Sequence, residues 1–185
     1  YPMDITQNND VFVEVSGLLK ALAVNLSKIS NDLRLMNSGP GGGLSEIKLA
    51  PLQIGSTIMP GKVNPVLPEM VTQVSIKVMA NDAAITMAAS RGEFELNAFL
   101  PLIADALLES LALLTNATKL FRTNCIELIK PNEERCKELL EASCAFAAAY
   151  TPKLGYDKVR KIIEECGGDP KKTRAMLEEQ VKFLE

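Results

Sequence analysis

Ser56, Thr57, Lys62 and Asn64 fall close together in the stretch Gly55-Ser56-Thr57-Ile58-Met59-Pro60-Gly61-Lys62-Val63-Asn64-Pro65. Two glycines and two prolines in that stretch break regular structure. The remaining polar groups are two hydroxyls, one cation and one amide, which is equipment for holding an anion and moving a proton. Lysine offers a point charge and asparagine an amide donor, and together they can hold one carboxylate. A proton on carbon beside a bound carboxylate is made more acidic, because the carbanion delocalises into it. The pattern therefore suits proton abstraction next to a carboxylate. Serine can act as the base only if amides and Lys62 strongly stabilise its alkoxide, since the free hydroxyl is far too weak an acid. A phosphate-binding nucleotide loop is excluded by spacing: it needs four residues between its glycines and a hydroxyl residue after the lysine, whereas five residues separate Gly55 from Gly61 and Val63 follows Lys62. On composition alone, a solvated connector is the other reading of the stretch.

The loop must be positioned by the segments around it. Upstream, Val15, Leu19, Leu22, Leu26, Ile29, Leu33 and Met36 recur in alternating steps of four and three. That spacing predicts a long helix packed along a near-parallel neighbour. Asn37-Ser38-Gly39-Pro40 ends it, and residues 1–10 read as a frayed lead-in. Residues 39–65 form one irregular stretch, long enough that a functional role is expected. A second helix is predicted from Val66 to about Ser90, with Pro68 in its first turn and an apolar line of Leu67, Val71, Val74, Val78 and Ile85. The helix N-terminus after the loop adds free amides and partial positive charge. Asn81 and Asp82 sit mid-helix and either face water or mark a buried polar contact. A third helix is predicted from about Asn97 to about Asn124, along Leu96, Leu100, Ile103, Leu107, Leu114 and Phe121 with Ser110 and Ala117 as interruptions. Three such helices predict a bundle whose apolar surface exceeds what three helices cover.

Pro131 opens a second region, read as a helix continuing to about Tyr150, a break at Thr151-Pro152, a helix over about Asp157 to Cys166, and a last helix capped by Asp169 with Pro170 at its first position. No β-strand pattern is present. The expected fold is all-α: a long-helix bundle domain over 1–129 carrying the loop 55–65, and a small C-terminal helical domain over 130–185.

The 185 residues, nearly half of them apolar, are enough for one sizeable core with a small appendage. A net charge of −3 argues against a nucleic-acid binder, so an acidic substrate must be drawn by local charge. No apolar run is read as reaching membrane-spanning length, and neither a leader nor a membrane partner is expected. The four cysteines form no C-x-x-C pair and there is no histidine, so no metal is expected. Cys136 and Cys144 fall in an apolar helical pattern, where a thiol is a small core residue. The expectation is a reduced, cytoplasmic chain.

Gly55 to Pro65 resembles, nearly residue for residue, the signature loop of the aspartase/fumarase superfamily. Arg34 to Ile47 resembles the family segment before that loop, and Arg91 to Pro101 the segment after the next helix. Pro131 to Ser143 and Leu154-Gly155-Tyr156 resemble its small C-terminal domain. The resemblance implies that Ser56 is the catalytic base, that Lys62 and Asn64 bind substrate carboxylate, and that Glu69 supports the site by pairing with a histidine of another subunit. Thr57 stands where a second serine is usual and keeps the hydroxyl for substrate binding. The implied reaction is an anti elimination that needs no cofactor: the base takes a Cβ proton, an aci-carboxylate intermediate forms, and the leaving group departs to give fumarate. Asn64-Pro65-Val66-Leu67-Pro68-Glu69 is more similar to the aspartase branch, favouring a small dicarboxylate, L-aspartate, with ammonia leaving. Phe94-Glu95-Leu96-Asn97 also resembles the fumarase branch, so hydration of fumarate is the alternative. A third expectation, of another class, is a non-catalytic scaffold or oligomerisation piece. The resemblance further implies a homotetramer, and the missing histidine implies that this is the C-terminal part of a longer enzyme, inactive alone.

Overall fold

The computed structural model describes residues 2–53 and 55–182. Contacts divide the chain into two compact units, Tyr1–Pro131 and Asn132–Glu185.

The first unit is built on three long helices: α2 (Asp10–Met36), α3 (Val66–Ala89) and α4 (Leu100–Asn124), preceded by the short α1 (Pro2–Gln7). Residues 2–7 are thus helical rather than frayed. Helix α2 begins five residues before the apolar line, because helix geometry continues through the polar turn ahead of it. Helix α3 is central and packs against both others, while α2 and α4 touch little. Three apolar layers run down the bundle. Ile85, Ala88, Ile103 and Ala106 form one, Ala23, Val78 and Leu114 the next, and Val71, Phe121 and Cys125 the third. Each fully buried Val or Ile here contributes about 1.5–3 kcal/mol relative to exposure. Leu33, Leu49 and Leu67 pack on the third layer, at the end of the bundle where the loop emerges.

The apolar line of α2 splits in two. Leu19, Leu26 and Leu33 turn inward beside a buried row of small residues, Ser16, Ala23 and Ser30. Val15, Leu22 and Ile29 stay 38%, 44% and 44% exposed. Small residues on the contact row let α2 approach α3 closely, and one flanking helix cannot cover both sides of a broad stripe. On α4, Ser110 and Ala117 are part of the buried row rather than interruptions of it, while Leu100, and Leu96 ahead of the helix, remain exposed.

Asn81 and Asp82 resolve as buried contacts. Asp82 accepts from Ser16 Oγ at 2.8 Å and from Lys20 Nζ at 2.5 Å on α2. Its neighbour Asn81 points the other way and donates through Nδ2 to Ser110 Oγ, Glu109 Oε2 and the Ala106 carbonyl on α4. Adjacent residues on a helix are about 100° apart, so one Asn-Asp pair joins three helices. The Asn81 amide, then Lys77, holds the Glu109 carboxyl below its ordinary value.

Two corrections concern regular structure. Ile47–Lys48 (β1) pairs antiparallel with Lys130–Pro131 (β2), so the stretch 39–65 is not wholly irregular. Two residues are too few for alternation to show in sequence. The segment Leu100–Leu128 is also long and apolar enough, by length and composition, to cross a membrane. Counting unbroken apolar runs missed it because Asp105, Glu109 and Lys119 interrupt the run. In the fold it presents Ile103, Leu114 and Phe121 to its neighbours.

The second unit holds α5 (Glu133–Glu141), a 3₁₀ turn (Ala145–Tyr150), α6 (Thr151–Leu154), α7 (Tyr156–Glu165) and α8 (Pro170–Lys182) around Ala147, Val159, Ile162 and Leu177. Helix α5 ends well before Tyr150, and Thr151-Pro152 opens a helix instead of breaking one, since proline suits the first turn. Cys136 is exposed and Cys144 half-buried; Cys125, in the first unit, is the buried thiol, and burial pushes its pKa up. Asp169 caps α8 as expected, its Oδ1 accepting from the Lys171 and Lys172 amides at 2.9 and 3.1 Å.

Candidate active-site loop

The loop 55–65 leaves the end of the bundle where α2 stops and α3 starts. It is closed by its own backbone and one side chain. Gly55 N–H donates to the Lys62 carbonyl at 3.1 Å, and Asn64 Nδ2 donates to the Gly55 carbonyl at 2.9 Å. A Cβ on Gly55 would lie 2.1 Å from the Lys62 oxygen, so only glycine allows this approach. Gly61 takes φ +80, which turns the chain back toward that contact. The neck formed in this way brings Ser56, Lys62 and Asn64 together from opposite ends of the loop.

Ser56 is half-buried. Its Oγ accepts from the backbone amides of Ile58 at 3.2 Å and Met59 at 3.1 Å, and donates to none of the described residues. Two amide donors aimed at one hydroxyl oxygen favour negative charge on it. Thr57 and Lys62 are exposed, and neither makes a side-chain hydrogen bond or ion pair among the described residues. Asn64 is half-buried, with one amide hydrogen engaged by Gly55 and one left over.

Glu69 lies in the first turn of α3. Arg34, from the last turn of α2, places Nη2 3.9 Å from Glu69 Oε1. Both line a cleft of about 440 Å³ with Asn31, Ser38 and Val63. A second cleft of about 480 Å³, which shares Asn37, Gly39 and Val63 with the first, is lined also by Lys62, Ser45 and Lys48. Its wall is firmly tied: Ser45 N–H donates to the Ser38 carbonyl at 2.7 Å and Leu49 N–H to Asn37 Oδ1 at 3.0 Å. Ser45 holds φ +54 there, a conformation that costs a non-glycine residue energy.

The structure therefore gathers Ser56, Lys62 and Asn64 at one neck, leaves Thr57 on the exposed limb, and sets Glu69 on the adjoining helix against Arg34. Sequence reasoning missed Arg34 and Lys48. In sequence Arg34 stands out only as the start of a family-like segment, and no periodicity signals a contact between a helix end and a helix start.

Comparisons with known proteins agree with this loop and bundle. A family model described as Lyase matches residues 1–80. An aspartate ammonia-lyase from a Bacillus species is 50% identical over 164 residues, covering 89% of this chain and 35% of the relative. A class II fumarate hydratase from Corynebacterium efficiens is 48% identical over 167 residues, covering 90% and 35%. The crystal structure of a fumarate lyase:delta crystallin from Brucella melitensis superposes with a TM-score of 0.83 at 43% identity, covering 95% of this chain and 41% of that one. The chain thus spans about a third of the length of the curated relatives it matches. The helical architecture, the loop and these relatives all point one way: over nearly its whole length the chain is similar to lyases of the aspartase/fumarase superfamily.

Proposed function

We propose that this chain supplies the base-bearing loop of an ammonia-lyase that converts L-aspartate reversibly to fumarate and ammonia. The observation that carries the reading is the Ser56 hydroxyl, whose oxygen accepts two backbone amides while its proton is committed to no described residue. As alkoxide, Ser56 takes the Cβ proton. The electron pair left on carbon delocalises into the adjacent carboxylate, giving the aci-carboxylate. Lys62 and the free Asn64 amide hydrogen neutralise that group, and Thr57 adds a hydroxyl donor from the exposed limb. The Cα–N bond then breaks, the C=C bond forms, and ammonia leaves. Glu69 supports the site, with Arg34 holding its carboxylate on one side and a histidine from another subunit on the other. The whole requires no cofactor.

Exposed apolar side chains on all three long helices, among them Leu18, Ile76, Met87 and Leu108, support a homotetramer with a shared bundle. The absence of histidine in this sequence supports a site completed by other segments and other subunits. Cytoplasmic location belongs to the same proposal.

Hydration of fumarate is the second reading, favoured by nearly equal identity to a class II fumarate hydratase and an aspartate ammonia-lyase. Both place the same base and the same aci-carboxylate on this loop and differ in the leaving group. Measuring ammonia release from L-aspartate beside hydration of fumarate, with the full-length enzyme, separates them. Malate formation without ammonia release overturns the first reading. Loss of neither activity on removing these residues would leave the scaffold role instead.

A further inference from the structure

Lys48 and Lys130 face each other in register across the β1–β2 ladder. Both are exposed, and neither forms an ion pair among the described residues. Like charges directly opposed on a ladder destabilise it, and their Cβ atoms are about 4.5–5.5 Å apart, so both ammonium groups can reach a single anionic group. Both line a cleft of about 500 Å³ together with Leu49, Pro51, Leu128 and Ile129. That volume falls in the range of about 300–1,000 Å³ typical of small-molecule sites. The acid on its rim, Glu127, is 3.3 Å from Arg122 Nε and does not answer the lysines. Leu128 leaves 45% of its surface to solvent.

We propose that this cleft binds a small amphipathic carboxylate. The carboxylate bridges Lys48 and Lys130, and a hydrocarbon body covers Leu49, Leu128 and Ile129. The charge pair selects an anion, and the apolar floor selects against short, fully hydrated ones. None of Ser56, Thr57, Asn64 and Glu69 lines this cleft, so it is separate from the loop chemistry. It nonetheless shares Lys48, Leu49 and Pro51 with the cleft that holds Lys62. Segment 48–51 is thus a common wall, and a ligand that draws Lys48 one way withdraws it from the other side.

Titration calorimetry on the full-length protein tests the site with three probes: octanoate (head and body), octanol (body alone) and acetate (head alone). Octanoate is expected to bind saturably, with octanol and acetate each at least about fivefold weaker. Lys130→Gln should weaken octanoate by about fivefold while Lys130→Arg retains it. Lys48→Gln repeats the comparison from the other strand, and a melting curve for each variant verifies folding. Octanol binding as tightly as octanoate would reduce the site to an apolar surface. Acetate binding as tightly would reduce it to surface charge. Unchanged octanoate affinity in both glutamine variants would overturn the proposal.

Discussion

The side-chain amide of Asn64 donates to the carbonyl of Gly55, nine residues back, at 2.9 Å. This bond ties the exit of the loop to its entrance and sets Lys62 beside Ser56. The same amide has a second hydrogen free for an anion. Asn64→Ala removes both roles and should lower kcat/KM of the full-length enzyme by about a hundredfold or more. Asn64→Asp should be at least as harmful, because a carboxylate repels both the Gly55 carbonyl and an incoming carboxylate. Steady-state kinetics on the two variants checks this; wild-type activity in Asn64→Asp would contradict it.

Lys62 is exposed and has no protein counter-ion among the described residues. In the proposed reaction, a cation kept free in this way serves the substrate carboxylate and the aci-carboxylate. Lys62→Ala should raise KM and lower kcat together. Lys62→Arg should rescue only in part, since a planar fork replaces a compact point charge. Full activity in the arginine variant would count against a tight lysine site.

Asp82 is a buried carboxylate whose partners, Ser16 and Lys20, both come from α2. Removing it leaves the Ser16 hydroxyl without its acceptor and Lys20 without its ion pair. Asp82→Ala should cost about 1.5–3 kcal/mol of stability. Denaturant titration would show it as a lower midpoint, and a change too small to measure would mean the contact holds nothing.

Asp169 caps α8, and the amide of Lys172, then that of Lys171, holds its carboxyl below the ordinary aspartate value. A group whose folded pKa is lowered stabilises above its unfolded pKa of about 4, and that contribution is lost as pH falls through the lower folded value. Melting curves of wild type and Asp169→Asn should therefore converge or cross as pH drops below about 4, because asparagine caps without titrating. A constant difference between them down to strongly acid pH would contradict the cap's charge.

The long helices were legible because their apolar periodicity spans many turns. The loop was legible because glycine and proline stop that periodicity abruptly. Sequence could not show which side of the α2 stripe faces inward: Val15, Leu22 and Ile29 are as apolar as Leu19, Leu26 and Leu33, and only the small row at Ser16, Ala23 and Ser30 distinguishes them. The Arg34–Glu69 contact and the Lys48–Lys130 register depend on two chain segments meeting, which no local pattern records. The engagement of Asn64 with Gly55 was hidden for the same reason, and it gives the residue a loop-closing bond beside the carboxylate contact expected of it. The α5 end was misplaced because alanine-rich Ala145–Tyr150 suits a 3₁₀ turn as well as an α-helix.

The central claim is that Ser56 removes the Cβ proton. Ser56→Ala in the full-length enzyme, assayed for ammonia release from L-aspartate and for hydration of fumarate, tests it most directly. The account predicts that kcat for whichever reaction the wild type performs falls by about a thousandfold or more, with the melting temperature nearly unchanged. A folded Ser56→Ala variant within about tenfold of the wild-type kcat would remove Ser56 from the mechanism.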